Sequence, residues 1–217
     1  MFNFSSKTYV GKEYKISDFL IQIKASKEVR DNAKKIESIV FENVISAQSL
    51  NTVEDKEFKN IYVIYLVLKE RVIPRLFIEE LDKNIAFHTY FVFEYKDELA
   101  TMIAYKEIGS TTKINSKYYI SDFKKRQLID IPMINNVKEM YKFILSYEIG
   151  IIARDNESPG EYITRVKAIN KLNFQISKTE NGIIYETQPK KKFEYNERLR
   201  KYKKEKEELM RMEKNNG

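Results

Sequence analysis

The sequence of 217 residues contains no cysteine, no tryptophan and a single histidine, and it has only six glycines and four prolines. The absence of cysteine excludes disulfides, thiolate metal sites and cysteine nucleophiles. A single histidine, His88, excludes any metal site built from several histidines. The glycines are isolated, as at Gly11, Gly109 and Gly182, so the chain has no glycine-rich loop that could cradle a phosphate. We therefore predict no metal site and no cofactor.

Long apolar runs are also missing. The longest, IYVIYLVL at residues 61–68, is far shorter than the ~20 residues that cross a bilayer. The first residues, MFNFSSKTYVGKEYK, lack the basic region and apolar run of a signal peptide. We therefore expect a cytoplasmic protein that makes no use of a membrane. Its apolar fraction of 42% supports a core that contains a sheet, and 33% charged residues predict a well-solvated surface.

The first 150 residues show alternating helix and strand patterns. Ser26 predicts a helix N-cap, and apolar residues at helical spacing extend the expected helix across residues 26–44: Val29, Ala33, Ile36 and Val40. The run 61–68 predicts a strand buried on both faces. A second helix is predicted over residues 71–85, with Pro74 in its first turn and one apolar side: Phe77, Leu81 and Ile85.

Further strands and a helix are predicted before residue 150. Residues 88–95 and 100–108 form an antiparallel hairpin around KDEL, and residues 117–123 and 127–133 are two more strand candidates. Asn136 and Glu139 resemble a capping box that opens a helix, which Gly150 ends. We therefore predict an α+β domain over residues 1–150, with a mixed sheet of about five strands and flanking helices.

Residues 151–217 are predicted to form a separate helical extension. Ser158, Pro159 and Glu161 indicate the start of a helix. Its apolar stripe runs to about residue 178, where Gly182 would end it: Ile163, Val166, Ile169, Leu172 and Ile176. The alternative for residues 173–187 is a β-hairpin around Asn181 and Gly182. A last helix over 188–209 would pair with the preceding one in a coiled-coil-like hairpin through four residues: Tyr195, Leu199, Tyr202 and Leu209.

Positive charge is concentrated in this tail. Residues 190–214 carry eleven Lys and Arg against six Glu, which accounts for five of the chain's seven net positive charges. Cations with tyrosines between them could follow a phosphate backbone and offer rings for stacking. The candidate nucleic-acid or partner contacts are Lys190, Lys191, Lys192, Tyr195, Arg198, Arg200, Lys201, Tyr202, Lys203 and Lys204. The alternative is a solvated helix in which glutamates neutralise lysines, for instance a Glu197–Lys201 pair.

One constellation suggests catalysis. Asp82, Glu94 and Lys96 match the acid, acid-x-lysine pattern of nucleases, in which two carboxylates hold Mg²⁺ and a lysine orients the attacking water. Glu94 and Lys96 would share one face of a strand. No other catalytic residues are predicted, because His88 reads as a hydrogen-bonded structural histidine. Lys106 ends a predicted strand, either as a solvated terminus or as a phosphate or carboxylate contact at the sheet edge.

Four segments carry a resemblance to a known family: KKIESIVFENVISAQSLNT, IYVIYLVLKE, LDKNIAFHTYFVFEYKDELATMIAYKE and ETQPKKKFEYNERLRKYKKEKEEL. With them the chain resembles, over about residues 14–210, the bacterial family described as domain of unknown function 4391. Lys106 matches a lysine that ends a strand in that family. Four tail residues match its basic helical ending: Phe193, Asn196, Leu199 and Leu209. The family reads Ile-Pro-Tyr where this chain has Ile85, Ala86 and Phe87.

The resemblance implies an accessory protein encoded beside a helicase-type ATPase and a DNA methyltransferase in restriction-like or phage-defence loci. Three hypotheses follow. The first is a non-enzymatic adaptor subunit that docks on the ATPase or the methyltransferase and contacts DNA through its tail. The second is a small Mg²⁺-dependent nuclease using Asp82, Glu94 and Lys96. The third is a structural module that forms homo-oligomers through the C-terminal helices.

Overall fold

The structure is a computed structural model that describes residues 1–109 and 112–211. The chain divides into two compact units, Met1–Gly150 and Ile151–Gly217. The first unit is a mixed sheet with helices, and the second is a pair of helices, which confirms the α+β fold predicted from the sequence.

The elements of the first unit follow in chain order. The strands are β1 (Phe2–Asn3), β2 (Tyr9–Tyr14), β3 (Ile36–Ser46), β4 (Asn60–Leu68), β5 (His88–Tyr95), β6 (Glu98–Ile103), β7 (Lys106–Ile108), β8 (Thr112–Ile114), β9 (Tyr119–Ile120), β10 (Lys124–Lys125) and β11 (Ile129–Asp130). The helices are α1 (Ile16–Gln22), α2 (Lys27–Ala33), α3 (Ala47–Leu50), α4 (Arg75–Asn84) and α5 (Val137–Ile149), with a 3₁₀ turn at Ser6–Thr8.

The main sheet has seven strands rather than about five. Its order is β10-β6-β5-β4-β3-β2, and β9 also pairs with β6. β4 and β5 are parallel and α4 connects them, whereas all other neighbours in this sheet are antiparallel. The additional strands are short, because β9 and β10 have two residues each. Two further pairs lie outside the main sheet, β1 with β11 and β7 with β8.

The sheet is covered on both faces. On one face, residues of α1, α2 and α4 close a buried cluster with alternate residues of the central strands: Phe19, Ala33, Phe77, Leu81, Ile64, Leu66, Phe91 and Phe93. The other face carries α5, where the Tyr141 ring lies 4.2 Å from the His88 ring. Tyr90 donates a hydrogen bond of 2.7 Å to Glu148 on the same side. Because side chains alternate along a strand, β5 contributes to both layers.

The helix predicted over residues 26–44 is wrong beyond its first two turns. Ser26 caps α2 as predicted, accepting from the Val29 amide at 3.3 Å, but α2 ends at Ala33. From Ile36 the chain is strand β3, which pairs with β2 on one side and β4 on the other. β-branched and aromatic residues fit a pleated surface, and this two-sided pairing outweighs the helical spacing of the apolar residues.

Other predictions in this unit hold in part. Asn136 caps α5 by accepting from the Glu139 amide at 2.8 Å, and Gly150 ends it with φ of 74°. Pro74 is the N-cap residue of α4 rather than a residue of its first turn. The strand predicted at residues 100–108 is divided between β6 and β7. Of residues 127–133, only Ile129–Asp130 are strand, and they pair with β1 outside the main sheet.

The second unit is a helical hairpin of α6 (Pro159–Tyr185) and α7 (Pro189–Met210). Ser158 and Glu161 form the predicted capping box, and Pro159 lies in the first turn. The expected end of the helix near residue 178 is wrong, because α6 continues through Gly182 to Tyr185. The helical interpretation of residues 173–185 is therefore confirmed over the β-hairpin. Glycine is a poor helix residue but is tolerated where neighbouring packing favours the helix.

Candidate functional site

Asp82 lies near the C-terminal end of α4, inside the first unit. Its side chain is 1% exposed and forms an ion pair of 2.5 Å with Lys106, which is equally buried. One carboxylate oxygen also accepts a hydrogen bond from the Thr89 hydroxyl, and the other accepts from the Tyr118 hydroxyl at 2.9 Å. Asp82 is thus fully engaged by protein groups, which is how a buried carboxylate avoids the cost of an unpaired charge.

Lys106 is buried rather than placed at a solvated edge. Besides the ion pair, its ammonium donates to three backbone carbonyl oxygens, those of Asp82, Ile85 and Phe87, at 2.8, 3.1 and 2.9 Å. These carbonyls follow one another where α4 ends and the chain turns into β5. Burial lowers the pKa of Lys106, and the Asp82 carboxylate acts in the opposite direction. In this arrangement Lys106 stabilises the end of a helix, and no phosphate contact can reach its ammonium.

Two further polar side chains, His88 and Tyr141, contact the backbone of Lys106. His88 Nε2 lies 3.1 Å from the Lys106 carbonyl oxygen, so the neutral ring donates from that nitrogen. The Lys106 amide donates to the Tyr141 hydroxyl at 3.1 Å, and that hydroxyl donates to the Ala104 carbonyl at 2.7 Å. His88 is therefore a hydrogen-bonded structural residue, as its sequence context indicates.

Glu94 lies in a different cluster from Asp82. Asp82 is bound to Thr89, and Thr89 and Glu94 are five positions apart on β5. Side chains alternate between the faces of a strand, so these two point to opposite faces and lie about 16 Å apart along it. The structure thus does not bring the two candidate carboxylates together.

The surroundings of Glu94 include residues that the sequence did not single out. The Tyr65 hydroxyl donates to Glu94, and Glu42 on β3 is close enough for the two carboxylates to influence each other. Burial raises the pKa of Glu42, Arg126 lowers it and Glu94 raises it. Lys96 lies outside the strand, in the turn after β5, with φ of 56° and its ammonium 5.2 Å from the Tyr95 ring centre.

The described residues are 1–109 and 112–211. Within these ranges, no group of three or more His, Asp or Glu side chains is arranged to hold a metal ion. Glu42 and Glu94 influence each other electrostatically, and the Tyr65 hydroxyl donates to Glu94.

The candidate contacts of the tail lie on α7, where no residue is buried. The half-buried residues include the four that were predicted to face the preceding helix: Tyr195, Leu199, Tyr202 and Leu209. The Tyr195 ring lies against Gly182 of α6, since a Cβ at that glycine would be 3.4 Å from the ring. The predicted pairing of the two helices is confirmed. Both tyrosines therefore have one side occupied by the hairpin.

The cations of α7 fall into two groups. Several have partners: Arg200 with Glu197 at 3.0 Å, Lys201 with Glu205 at 3.9 Å, and Lys203 with Glu180 of α6 at 2.9 Å. Arg198 lies over the Tyr195 ring at 4.8 Å. The remaining candidates are exposed and make no ion pair with any residue that the structure describes: Lys190, Lys191, Lys192 and Lys204. The Glu197–Lys201 pair expected from the sequence is replaced by the Glu197–Arg200 pair.

Arginines fix the C-terminal end of α7 to the base of the hairpin. Arg165 of α6 binds both carboxylate oxygens of Glu157 at 2.7 Å, and it also donates to the Leu209 carbonyl at 3.2 Å. Arg154 donates to the carbonyls of Leu209 and Arg211 at 3.1 Å. Cations at a helix C-terminus satisfy its last carbonyls and oppose its dipole. The basic helix is thus held along its seam and at its end.

No helix among residues 1–109 and 112–211 is long and apolar enough to cross a membrane. No curated protein and no solved structure shows significant similarity to the chain. A family model does match, over residues 2–205. This range includes the main sheet, the buried Asp82–Lys106 pair and nearly all of the helical hairpin. The chain therefore belongs to the family described as "Domain of unknown function (DUF4391)".

Proposed function

We propose that the protein is a non-enzymatic accessory subunit of a DNA-targeting phage-defence or restriction-like system. It docks on a helicase-type ATPase or a DNA methyltransferase and contacts DNA through α7. The observation that carries this proposal is the solvent-facing side of α7, where four lysines have no acidic partner among the residues that the structure describes, while the helix itself is fixed to α6. The bacterial defence setting and the two partner classes come from the family resemblance.

The first turn of α7 favours an anionic ligand. Lys190, Lys191 and Lys192 occupy it, and it contains no acidic residue. The N-terminus of a helix already carries partial positive charge, so three lysines there destabilise the free helix. Bound phosphates would remove that repulsion, and their oxygens would also accept hydrogen bonds from the free amides of the first turn. Lys204 lies about 20 Å further along the same helix, which extends the surface over several phosphates.

The non-enzymatic part of the proposal is supported by how the candidate catalytic groups are used. Asp82 accepts from two hydroxyls and pairs with Lys106. Glu94 accepts from the Tyr65 hydroxyl, on the opposite face of the sheet. Both carboxylates stabilise the fold where they are, and neither is directed at a common point from which a nucleophile could be activated.

The DNA contact is tested by the salt dependence of binding to duplex DNA. A variant replaces four lysines of α7 by glutamine: Lys190, Lys191, Lys192 and Lys204. A control variant replaces four exposed lysines of the first unit in the same way: Lys7, Lys15, Lys27 and Lys69. Each lost phosphate contact lowers the slope of log K against log salt by about 0.9. We expect the α7 variant to lose up to about three to four units of slope, and the control to keep the original slope.

Equal slopes for the original protein and the α7 variant would contradict the DNA contact. The non-enzymatic assignment has its own assay, incubation of plasmid DNA with the protein and Mg²⁺. Cleavage that disappears in both Glu94→Ala and Lys96→Ala would overturn it in favour of the nuclease hypothesis.

A further inference from the structure

The outer side of α6 carries exposed aromatic residues. Phe174 is 69% exposed and Tyr185 is 83% exposed, although both are large apolar side chains. They are eleven residues apart, which is about three helical turns, so they lie on one line of the helix about 16 Å apart. Ile184, 70% exposed, borders this line. A row of exposed apolar residues on one helix face indicates a surface that another molecule covers.

The same line is buried closer to the start of the helix. Ile163 lies another eleven residues before Phe174, and it is 1% exposed. Its neighbour Val166 is fully buried. One helix face therefore changes from buried to exposed without changing its apolar character.

The charge around Phe174 has one sign. No acidic residue occurs between Glu161 and Glu180, and Glu180 forms an ion pair with Lys203 of α7. Lys171 and Lys178 are exposed on the flank of Phe174, at spacings of three and four residues. A molecule that covered Phe174 would meet these two lysines, whereas Glu186 directly follows Tyr185 at the other end of the line.

We propose that the outer face of α6, formed by Lys171, Phe174, Lys178, Ile184 and Tyr185, is a docking surface for an acidic amphipathic protein segment. Apolar anchors of that segment cover the two rings, and its carboxylates meet the two lysines. A second copy of this chain is disfavoured, because the lysines of both copies would meet. Nucleic acid is disfavoured by Ile184, which offers no ring for stacking.

This inference rests on the proposed accessory function and supplies its protein-binding surface, separate from the DNA contact of α7. The probe is a fluorescent peptide of three heptads with leucine at a and d and glutamate at e and g. Its like charges keep it monomeric. A matched peptide carries lysine in place of glutamate. Binding is measured by anisotropy for the original protein, for Phe174→Ser/Tyr185→Ser, and for Phe193→Ser, which removes a 66% exposed ring from α7 instead.

We expect the acidic peptide to bind, the lysine peptide not to bind, and the Phe174→Ser/Tyr185→Ser variant to bind at least about tenfold more weakly. Phe193→Ser should bind as the original protein does. Both substitution sites are exposed, so the variants are expected to fold, and circular dichroism checks this. Absence of acidic-peptide binding, or equal binding by the double variant, overturns the proposal.

Two further measurements identify the competing occupants. Light scattering that shows a dimer lost in Phe174→Ser/Tyr185→Ser would assign the surface to a second copy and overturn the proposal. Single-stranded oligo(dT) binding that is lost in that variant, without binding of the acidic peptide, would assign it to nucleic acid. The salt slope of the α7 lysine variant is independent of these results, so the DNA contact and the docking surface can fail separately.

Discussion

His88 is the only histidine of the chain, and its surroundings predict an unusual titration. The ring is 2% exposed and stacks on Phe58, with the ring centres 4.7 Å apart and the planes at 11°. Tyr141 covers it as well, at 4.2 Å. Burial and the nearby Lys106 ammonium lower the pKa of His88 to about 4, although its contact with the Lys106 carbonyl and the Asp55 carboxylate act in the other direction.

The sign and size of the effect on stability follow from linkage. In the unfolded chain His88 titrates near pH 6.5, so between pH 6.5 and 4 the unfolded state binds a proton that the folded state does not. The free energy of unfolding therefore falls as the pH falls through this window. Lowering the pH from 7 to 5 should cost about 2 kcal/mol through His88 alone.

The comparison that isolates this contribution uses His88→Gln, whose amide can still donate to the Lys106 carbonyl but does not titrate. Urea unfolding at pH 7 and pH 5 gives the pH-dependent loss of stability for both proteins, and all other titrating groups cancel in the difference. We expect the original chain to lose about 2 kcal/mol more than the variant. Because the chain has a single histidine, the ring protons of His88 also give an independent NMR titration that needs no assignment among several histidines. A midpoint near 6.5, or equal losses in both proteins, would refute the reasoning.

Two further predictions concern stability, both measured by urea unfolding. Lys106→Met leaves a buried aspartate without its partner and should cost about 3–5 kcal/mol, whereas Lys83→Met, in an exposed ion pair, should cost less than about 1 kcal/mol; similar costs would argue against the buried pair. Gly182→Ala should raise stability by about 0.5–1 kcal/mol, because the residue is helical and the nearest ring atom lies 3.4 Å from the new Cβ. Gly150→Ala should lower the stability by about 1 kcal/mol because φ is 74°. If Gly182→Ala and Gly150→Ala changed the stability in the same direction, the two backbone conformations would not explain the result.

The helix boundaries that the sequence predicted correctly depend on local signals. Ser158 with Glu161, and Asn136 before α5, satisfy free amides within three residues, so neighbouring residues suffice to recognise them. The helix expected beyond Ala33 failed because the same apolar residues fit both a helix face and a strand. The deciding interaction is the pairing of β3 with β4, which lies more than twenty residues away in part of its length.

The candidate site was less accessible to sequence reasoning because it joins distant segments. Asp82 on α4 and Lys106 on β7 come together only in the folded chain. Two signals did exist. Asp82 lies four residues after Ile78, on the buried stripe of α4, and Lys106 is a charged residue at the end of the apolar run that continues from β6 through Ala104 and Tyr105. A charge in a position that should be apolar indicates a buried partner, because charged side chains are almost never fully buried unless they are paired.

The number of basic residues favours α7 as the charged surface, but the positions of their acidic neighbours draw attention to α6 as well. The count places the excess of lysine and arginine on α7, yet that helix also contains five glutamates, and three of its cations are paired. α6 has fewer lysines, but no acidic residue lies between Glu161 and Glu180 to offset them, and aromatic rings lie beside them. The lysines of α7 have one exposed ring beside them, Phe193, and a surface rich in lysine suits the phosphates of DNA. On α6 two lysines flank Phe174, and Tyr185 and Ile184 lie on the same side, which suits an acidic protein segment with apolar anchors. If the two helices divide the work in this way, the lysine variant of α7 should bind the acidic peptide normally, and the Phe174→Ser/Tyr185→Ser variant should keep the salt slope of DNA binding.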